Sequence, residues 1–187
     1  LSLGGWRLGV GFIPKGMDGL FGAMCSIASE TWSCVASPVQ FAALEAYAGR
    51  AEIEDYIGRS TAIHAAVNTY ISARLQAAGI GCHTPQGAFY TWPDFGAFGD
   101  GVLKERFGTS ECLGQALLGE AGVVALPGTA FGEAPEALKF RFAGCGYDGA
   151  AAMRTAERAN TLPDIPALAP AIVDAMDAID GFLKSAN

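Results

Sequence analysis

The sequence predicts an α/β protein in which helices and short strands alternate along the chain. The 187 residues are 51% hydrophobic and 17% charged, which provides enough apolar side chains for a sizeable core. In residues 138–143, bulky apolar side chains alternate with Lys139, Arg141 and Ala143, as in a strand with one buried face. Residues 52–78 instead carry apolar side chains at helical spacing. Such interleaving is typical of layered α/β architectures.

The first part of the chain predicts one strand and two helices. Residues 6–14 form a short apolar run with glycines, which is typical of a buried strand. A helix is predicted over residues 18–30. A second begins at Ser37 as N-cap, with Pro38 in its first turn and Gln40 at capping-box spacing, and it stops at Gly49.

One long helix is predicted over residues 52–78, ending at Gly79. Its apolar stripe contains Ile63, Val67, Tyr70, Ile71 and Leu75. This length suits a connector between two domains, so we predict domains over residues 1–60 and 61–187.

The second part predicts strands over residues 80–84, 88–92, 123–126 and 137–143. Helices are predicted over residues 110–120, with Ser110 as the cap, and from Asp148 to Asn160. A final amphipathic helix follows the linker at residues 163–170, and its apolar face contains Ile172, Met176, Ile179, Phe182 and Leu183.

Composition excludes several classes of function. The formal net charge of -7 argues against a nucleic-acid scaffold or a protein bound to an anionic membrane, and no apolar run is long enough to span a membrane. The five cysteines are scattered without a Cys-x-x-Cys pair, and the two histidines lie outside zinc-ligand spacing. We therefore expect no metal site and buried, reduced thiols in a cytoplasmic protein.

Five segments carry a family pattern in the expected order. They are residues 3–9 around Gly5 and Arg7, residues 33–44, the Gly-Ala-Phe-Tyr of residues 87–90, the Gly-Val…Pro-Gly…Phe-Gly of residues 122–132, and residues 141–143. Together they resemble the C-terminal portion of the class I/II aminotransferases, which are pyridoxal-phosphate enzymes of fold type I. The resemblance implies that residues 1–60 end the large cofactor-binding domain and that residues 61–187 form the small domain.

The resemblance assigns the phosphate of pyridoxal 5'-phosphate to Arg7, in the Gly-x-Arg-x-Gly segment that follows the family's catalytic lysine. Arginine suits this role because its planar guanidinium pairs two oxygens and keeps its charge. Composition alone would favour a structural ion pair at a strand start, and the resemblance reverses that preference.

Arg141 is the candidate for the substrate α-carboxylate. Strand alternation puts Lys139 and Arg141 on one face, which could form an anion pocket. A solvated charged face of an edge strand is the alternative, and Lys139 could take the role instead. Phe131 and Gly132 follow the Pro-Gly turn, where a loop can reach a ligand. Gly87 and Tyr90 could border the substrate pocket, although Tyr90 could equally be a core residue.

The catalytic residue is expected outside this chain. The family's Schiff-base lysine would fall two positions before Leu1, so none of the lysines present is nominated as catalytic. Because the sequence opens on Leu1 without a methionine, we expect a fragment that is inactive alone.

For the complete protein, the resemblance implies amino-group transfer between an amino acid and a 2-oxo acid, in a homodimer without nucleic-acid or membrane partners. Two alternatives stay open. A lyase or decarboxylase would use the same fold and cofactor, and a sensing domain would bind the cofactor without turnover.

Overall fold

The computed structural model describes residues 4–159 and 161–186, and the chain divides into two compact units, Leu1–Gly58 and Arg59–Asn187. The assignment of a large and a small domain to these parts of the chain stays a prediction. Leu3 of the first motif and the predicted helix end at Asn160 lie outside the described residues.

The first unit contains helix α1 (Asp18–Thr31), helix α2 (Ser37–Ala46) and the first turns of helix α3 (Ala51–Ala77). The predicted strand over residues 6–14 is wrong: a 3-10 turn at Gly4–Trp6 is followed by backbone without regular structure. A strand requires a second strand to which it can hydrogen-bond, and none of the described residues of this unit forms such a partner strand.

The start of α2 differs from the predicted capping box. Ala36 is the N-cap residue, and Ser37 is already helical. The Gln40 amide donates to the carbonyl oxygen of Val35 at 2.6 Å, so it serves the residue before the cap.

Helix α3 confirms the predicted long helix to within one residue at each end. Its apolar stripe is buried in the second unit, with Ile63, Val67, Ile71 and Leu75 at most 3% exposed. Gly79 follows the helix with a φ of 85°, a left-handed conformation that favours glycine.

The second unit contains an antiparallel sheet of three short strands in the order β1-β3-β2. They are β1 (Tyr90–Thr91), β2 (Leu126–Pro127) and β3 (Phe140–Ala143). The predicted strand over residues 80–84 is wrong, because only Gly81 forms a bridge, to Asp94. Pro93 and Pro127 have no N–H to extend a ladder, which limits β1 and β2.

Two helices precede β2. Helix α4 (Val102–Phe107) was not predicted, and α5 (Ser110–Ala121) matches the predicted helix. The cap is Thr109 rather than Ser110, since its hydroxyl accepts from the Cys112 N–H at 3.3 Å. Ser110 is instead fully buried.

Three helices close the chain: α6 (Gly149–Glu157), α7 (Ile165–Leu168) and α8 (Pro170–Ala186). Asp148 caps α6 as predicted, and α7 occupies the predicted linker. The predicted apolar face of α8 is confirmed, because all five of its named residues are buried.

Arg74 joins α3 to α8. Its guanidinium donates to Asp177 at 2.8 Å, to Asp180 at 2.5 Å and to the Tyr70 hydroxyl at 2.6 Å. These hydrogen bonds, that to Asp177 first, raise the pKa of Arg74 above its usual value. Arg74 is therefore a structural arginine whose charge is compensated within the fold.

The prediction of buried thiols is wrong for four of the five cysteines. Those exposed are Cys25, Cys34, Cys112 and Cys145, and Cys82 is half-buried. Within residues 4–159 and 161–186, no helix has the length and apolar character to cross a membrane.

Candidate functional site

Arg141 lies in the central strand β3, opposite Leu126 of β2. The predicted alternation of the strand is confirmed, since Phe140 and Phe142 are buried while Arg141 is only partly covered. The apolar face of β3 therefore joins the core, and the Arg141 guanidinium is on the other face.

Two aromatic rings flank this guanidinium. Its Cζ atom lies 4.4 Å from the ring centroid of Tyr90 and 4.9 Å from that of Phe131. Trp92 packs edge-on against Phe131, with ring centroids 5.3 Å apart. We call Tyr90 and Phe131 the ring pair. The faces of the two rings attract the cation electrostatically, and neither ring supplies a carboxylate that would pair with its donors.

The donors of Arg141 are unpaired within the part of the chain that the structure describes. No carboxylate lies within the 4 Å of an ion pair, and the buried Nε has no hydrogen-bond partner. A buried donor without a partner costs about 1–3 kcal/mol. This cost is absent at Arg74, whose guanidinium binds two carboxylates and a hydroxyl. The arrangement at Arg141 thus favours an external acceptor.

Lys139, the other cation on this face, differs from Arg141 because an acidic side chain pairs with it. Its Nζ forms an ion pair with Glu133 at 3.0 Å, and both side chains are about a third exposed. The charge of Lys139 is therefore compensated locally, which favours Arg141 as the cation for an anionic ligand.

A glycine turn positions Phe131. The Gly128 N–H donates to the carbonyl oxygen of Lys139 at 2.8 Å, and a Cβ at Gly128 would lie 3.1 Å from that oxygen and from Glu133 Cβ. The turn continues as a 3-10 helix, Gly128–Phe131, which ends at Gly132 with a φ of 86°. The small residue at 128 lets this turn approach β3, so Phe131 can reach Arg141.

The segment before Tyr90 is held at both sides. Ala88 has a φ of 58°, an unfavourable left-handed conformation for a residue with a Cβ. Its carbonyl oxygen accepts from the buried Asn68 amide at 2.9 Å, and the Phe89 carbonyl accepts from the Gly144 N–H at 2.7 Å. These two bonds fix the backbone that leads into Tyr90.

Asn68 and Gly144 are in close contact. A Cβ at Gly144 would lie 2.4 Å from Asn68 Oδ1, so this position has room for glycine alone. Sequence reasoning did not identify Asn68, although an amide next to the apolar stripe of α3 was a usable signal. Only 2% of Asn68 is exposed.

His64 lies beside the same segment. Its ring centroid is 5.7 Å from that of Phe89, and its Nδ1 is 3.1 Å from the Tyr147 hydroxyl. Burial lowers the pKa of His64 from its usual value of 6.5. The neutral imidazole is therefore the form that the folded chain favours.

Arg7, the candidate for the cofactor phosphate, lies in the first unit and is exposed. Its Nη1 donates to the Gly4 carbonyl oxygen at 3.2 Å, and the described residues offer it no ion pair. No other atom lies within 4 Å of the places where Gly4, Gly5 and Gly9 would carry a Cβ. An open, glycine-rich backbone with an uncompensated guanidinium fits a phosphate group.

Arg7 and Arg141 belong to different units, so a cavity shared by both stays a prediction. Trp6, which precedes Arg7, is 54% exposed.

Residues 1–149 match the family model described as aminotransferase class I and II. The aspartate aminotransferase of Bacillus sp. (strain YM-2) is 31% identical over 142 residues, which cover 76% of this chain and 34% of that protein. The aspartate/prephenate aminotransferase of Cereibacter sphaeroides is 35% identical over 133 residues, covering 70% of this chain and 32% of that protein. The chain thus spans about a third of the length of these curated relatives.

The fold is similar to that of the aromatic aminotransferase from Pyrococcus horikoshii OT3. The TM-score is 0.67, the identity is 22%, and the match covers 98% of this chain and 40% of that one. The fold class predicted from the sequence is confirmed by this likeness.

Proposed function

The chain belongs to the aminotransferase class I and II family, and from this premise we propose that the complete protein transfers an amino group between an amino acid and a 2-oxo acid. The observation that carries the proposal is Arg141, a partly buried guanidinium that is flanked by two rings and has no acidic partner among the described residues. Both substrates carry a carboxylate, the ligand that a planar guanidinium binds best.

In this proposal Arg141 binds the α-carboxylate of either substrate. Two parallel N–H···O bonds would fix the direction of the substrate as well as its position. Lys139 stays paired with Glu133 and takes no part in binding. The partial burial of Arg141 also reduces competition from water for its donors.

Arg7 would hold the phosphate of pyridoxal 5'-phosphate. The residues around it fit this group, because exposed glycines leave room and the guanidinium keeps most of its donors free. The cofactor, when bound, supplies the electron sink for chemistry at the substrate Cα. The catalytic lysine is proposed to precede Leu1, so the 187 residues alone would be inactive.

The complete protein is proposed to be a cytoplasmic homodimer. The homodimer is proposed from the family to which the chain belongs. In the first unit none of the described residues is buried and many large apolar side chains are exposed, so this surface would be covered by further residues of the large domain or by a second copy. Examples are Phe12 at 86% and Phe41 at 72% exposure. Apolar surface of this kind is favourable to cover.

The test is an absorbance spectrum of the full-length protein with its cofactor, taken before and after amino donors are added. We expect a visible band that one class of donor bleaches and a 2-oxo acid restores. Release of carbon dioxide with each donor would instead identify a decarboxylase. A band that no donor changes would identify a sensing domain.

Two variants separate the proposed roles. Arg141→Ala is expected to weaken every amino donor while the cofactor stays bound, and Arg7→Ala to release the cofactor into a dialysate. Arg154→Ala, which removes an exposed arginine of α6, is the control. Unchanged donor kinetics in Arg141→Ala would refute the carboxylate assignment.

A further inference from the structure

We propose that Tyr90 and Phe131 are positioning residues, which hold the Arg141 guanidinium in one orientation and leave its N–H donors available to the carboxylate. The proposal rests on the function proposed above. It concerns the orientation of the Arg141 guanidinium before the carboxylate binds.

The conformational freedom of the arginine side chain is the reason why a positioning contact matters here. This long side chain has many rotamers, and an unrestrained guanidinium loses this freedom when it binds a carboxylate. Restraint by acidic residues removes the freedom but also occupies the donors and cancels the charge. Arg74 illustrates this case, with Asp177, Asp180 and Tyr70 as its acceptors.

The ring pair restrains Arg141 in another way. Both ring centroids lie within 5 Å of Cζ, well inside the range of a favourable cation–π contact. Because the faces of aromatic rings carry partial negative charge but no net charge, the guanidinium keeps its full positive charge. A side chain ordered in advance binds its ligand with a smaller loss of entropy.

Both rings are themselves attached to rigid backbone. Phe131 ends the turn that Gly128 brings against β3, and Trp92 packs edge-on against it. Tyr90 pairs with Ala143 in the sheet and follows the segment bonded by Asn68 and Gly144. One ring therefore comes from β1 and the other from the 3-10 helix after β2, and both contact Arg141 without a ligand.

The first measurement needs no ligand. Relaxation of the arginine Nε–H groups in the isotope-labelled 187-residue chain reports how ordered each guanidinium is. We expect the Arg141 Nε–H to be about as ordered as that of Arg74 and clearly more ordered than that of the exposed Arg154. Tyr90→Leu and Phe131→Leu should each lower its order toward the value for Arg154.

Two controls accompany these variants. Tyr90→Phe keeps the ring and is expected to match the wild type. Phe107→Leu removes a ring that lies 5.0 Å from the cation of Arg106, elsewhere on the unit, and should leave Arg141 unchanged. If Arg141 is as mobile as Arg154 in the wild type, or keeps its order in both leucine variants, the ring pair has no positioning role.

The second measurement uses pyruvate, a 2-oxo acid with one carboxylate, and follows the Arg141 Nε–H signal during titration. Each leucine variant should weaken pyruvate binding about tenfold, which corresponds to about 1.4 kcal/mol. Tyr90→Phe should restore the wild-type affinity.

The outcomes distinguish the two proposals. If the Arg141 signal responds to pyruvate in the wild type and the leucine variants bind pyruvate as well as the wild type does, the ring pair is not positioning and the carboxylate role stands. If Arg141 is ordered by the rings but its signal does not respond to pyruvate, the positioning role stands and the carboxylate assignment fails.

Discussion

Gly144→Ala is expected to destabilise the second unit through one identifiable contact. The added Cβ would lie 2.4 Å from Asn68 Oδ1 and 3.1 Å from Ile71 Cδ1. An oxygen and a carbon in ordinary contact are about 3.3 Å apart, so Asn68 would have to move by about 0.9 Å. It cannot do so freely, because its amide donates to the Ala88 carbonyl oxygen at 2.9 Å.

The magnitude follows from three terms. Overpacking of this kind costs about 1–3 kcal/mol, and weakening the Asn68 hydrogen bond adds about 1 kcal/mol. Replacing glycine by alanine returns about 0.4–1 kcal/mol by restricting the unfolded chain. The net loss in the free energy of unfolding is therefore about 2 kcal/mol.

The assay is urea unfolding of residues 59–187 expressed alone, followed by the fluorescence of Trp92, the single tryptophan in this segment. The four proteins compared are the wild type, Gly144→Ala, Asn68→Ala and the double variant. Because Asn68→Ala removes the atom that the new Cβ meets, Gly144→Ala should cost less than about 0.5 kcal/mol in that background. Costs that simply add would refute the contact as the cause.

Three further predictions concern ionisable side chains. Burial lowers the pKa of His64 in the folded chain below 6.5, so the unfolded chain binds this proton more tightly. The stability that neutral His64 contributes should therefore be fully present above pH 6.5 and fall as the pH drops from 6.5 toward the lowered pKa. His64→Gln should flatten this part of a plot of urea midpoint against pH, and an unchanged slope would exclude His64 as its source. Arg74→Ala should lower the free energy of unfolding by about 1–3 kcal/mol, because two carboxylates lose their partner. Arg154→Ala, on the exposed surface, should change it by less than about 0.5 kcal/mol. Equal effects of the two substitutions in urea unfolding would contradict the structural role of Arg74. Lys139→Gln should leave the affinity for pyruvate within about threefold of the wild-type value, because salt screening and the ion pair with Glu133 weaken the attraction between Lys139 and pyruvate. A loss of affinity as large as that in Arg141→Ala would transfer the carboxylate role to Lys139.

Periodicity was a reliable guide wherever an element lies against the core. Helix α8 and the stripe of α3 repeat their apolar residues at helical spacing, and the structure buries these residues except Tyr70, which is partly buried. The alternation along β3 likewise predicted which of its side chains are buried. These patterns are local, so one sequence is enough to read them.

Caps and short strands were less predictable, because they depend on neighbours. Ser110 and Thr109 are equally suitable N-cap residues by type. In the structure Thr109 is extended and caps the helix, while Ser110 is buried and its N–H donates to the Pro135 carbonyl oxygen. Residues 6–14 have the composition of a strand, but a strand forms only where another offers its donors and acceptors. The described residues of the first unit contain no such partner strand.

By itself, the sequence determined the family pattern, the alternation of the elements and the face of β3 that carries Arg141. The tertiary structure alone decided which cation keeps its charge uncompensated. Glu133 reaches Lys139, whereas rings from positions 90 and 131 reach Arg141. The physical reason is that an ion pair or a ring contact depends on distances of a few ångströms between segments far apart in the chain, and spacing along one sequence does not contain those distances.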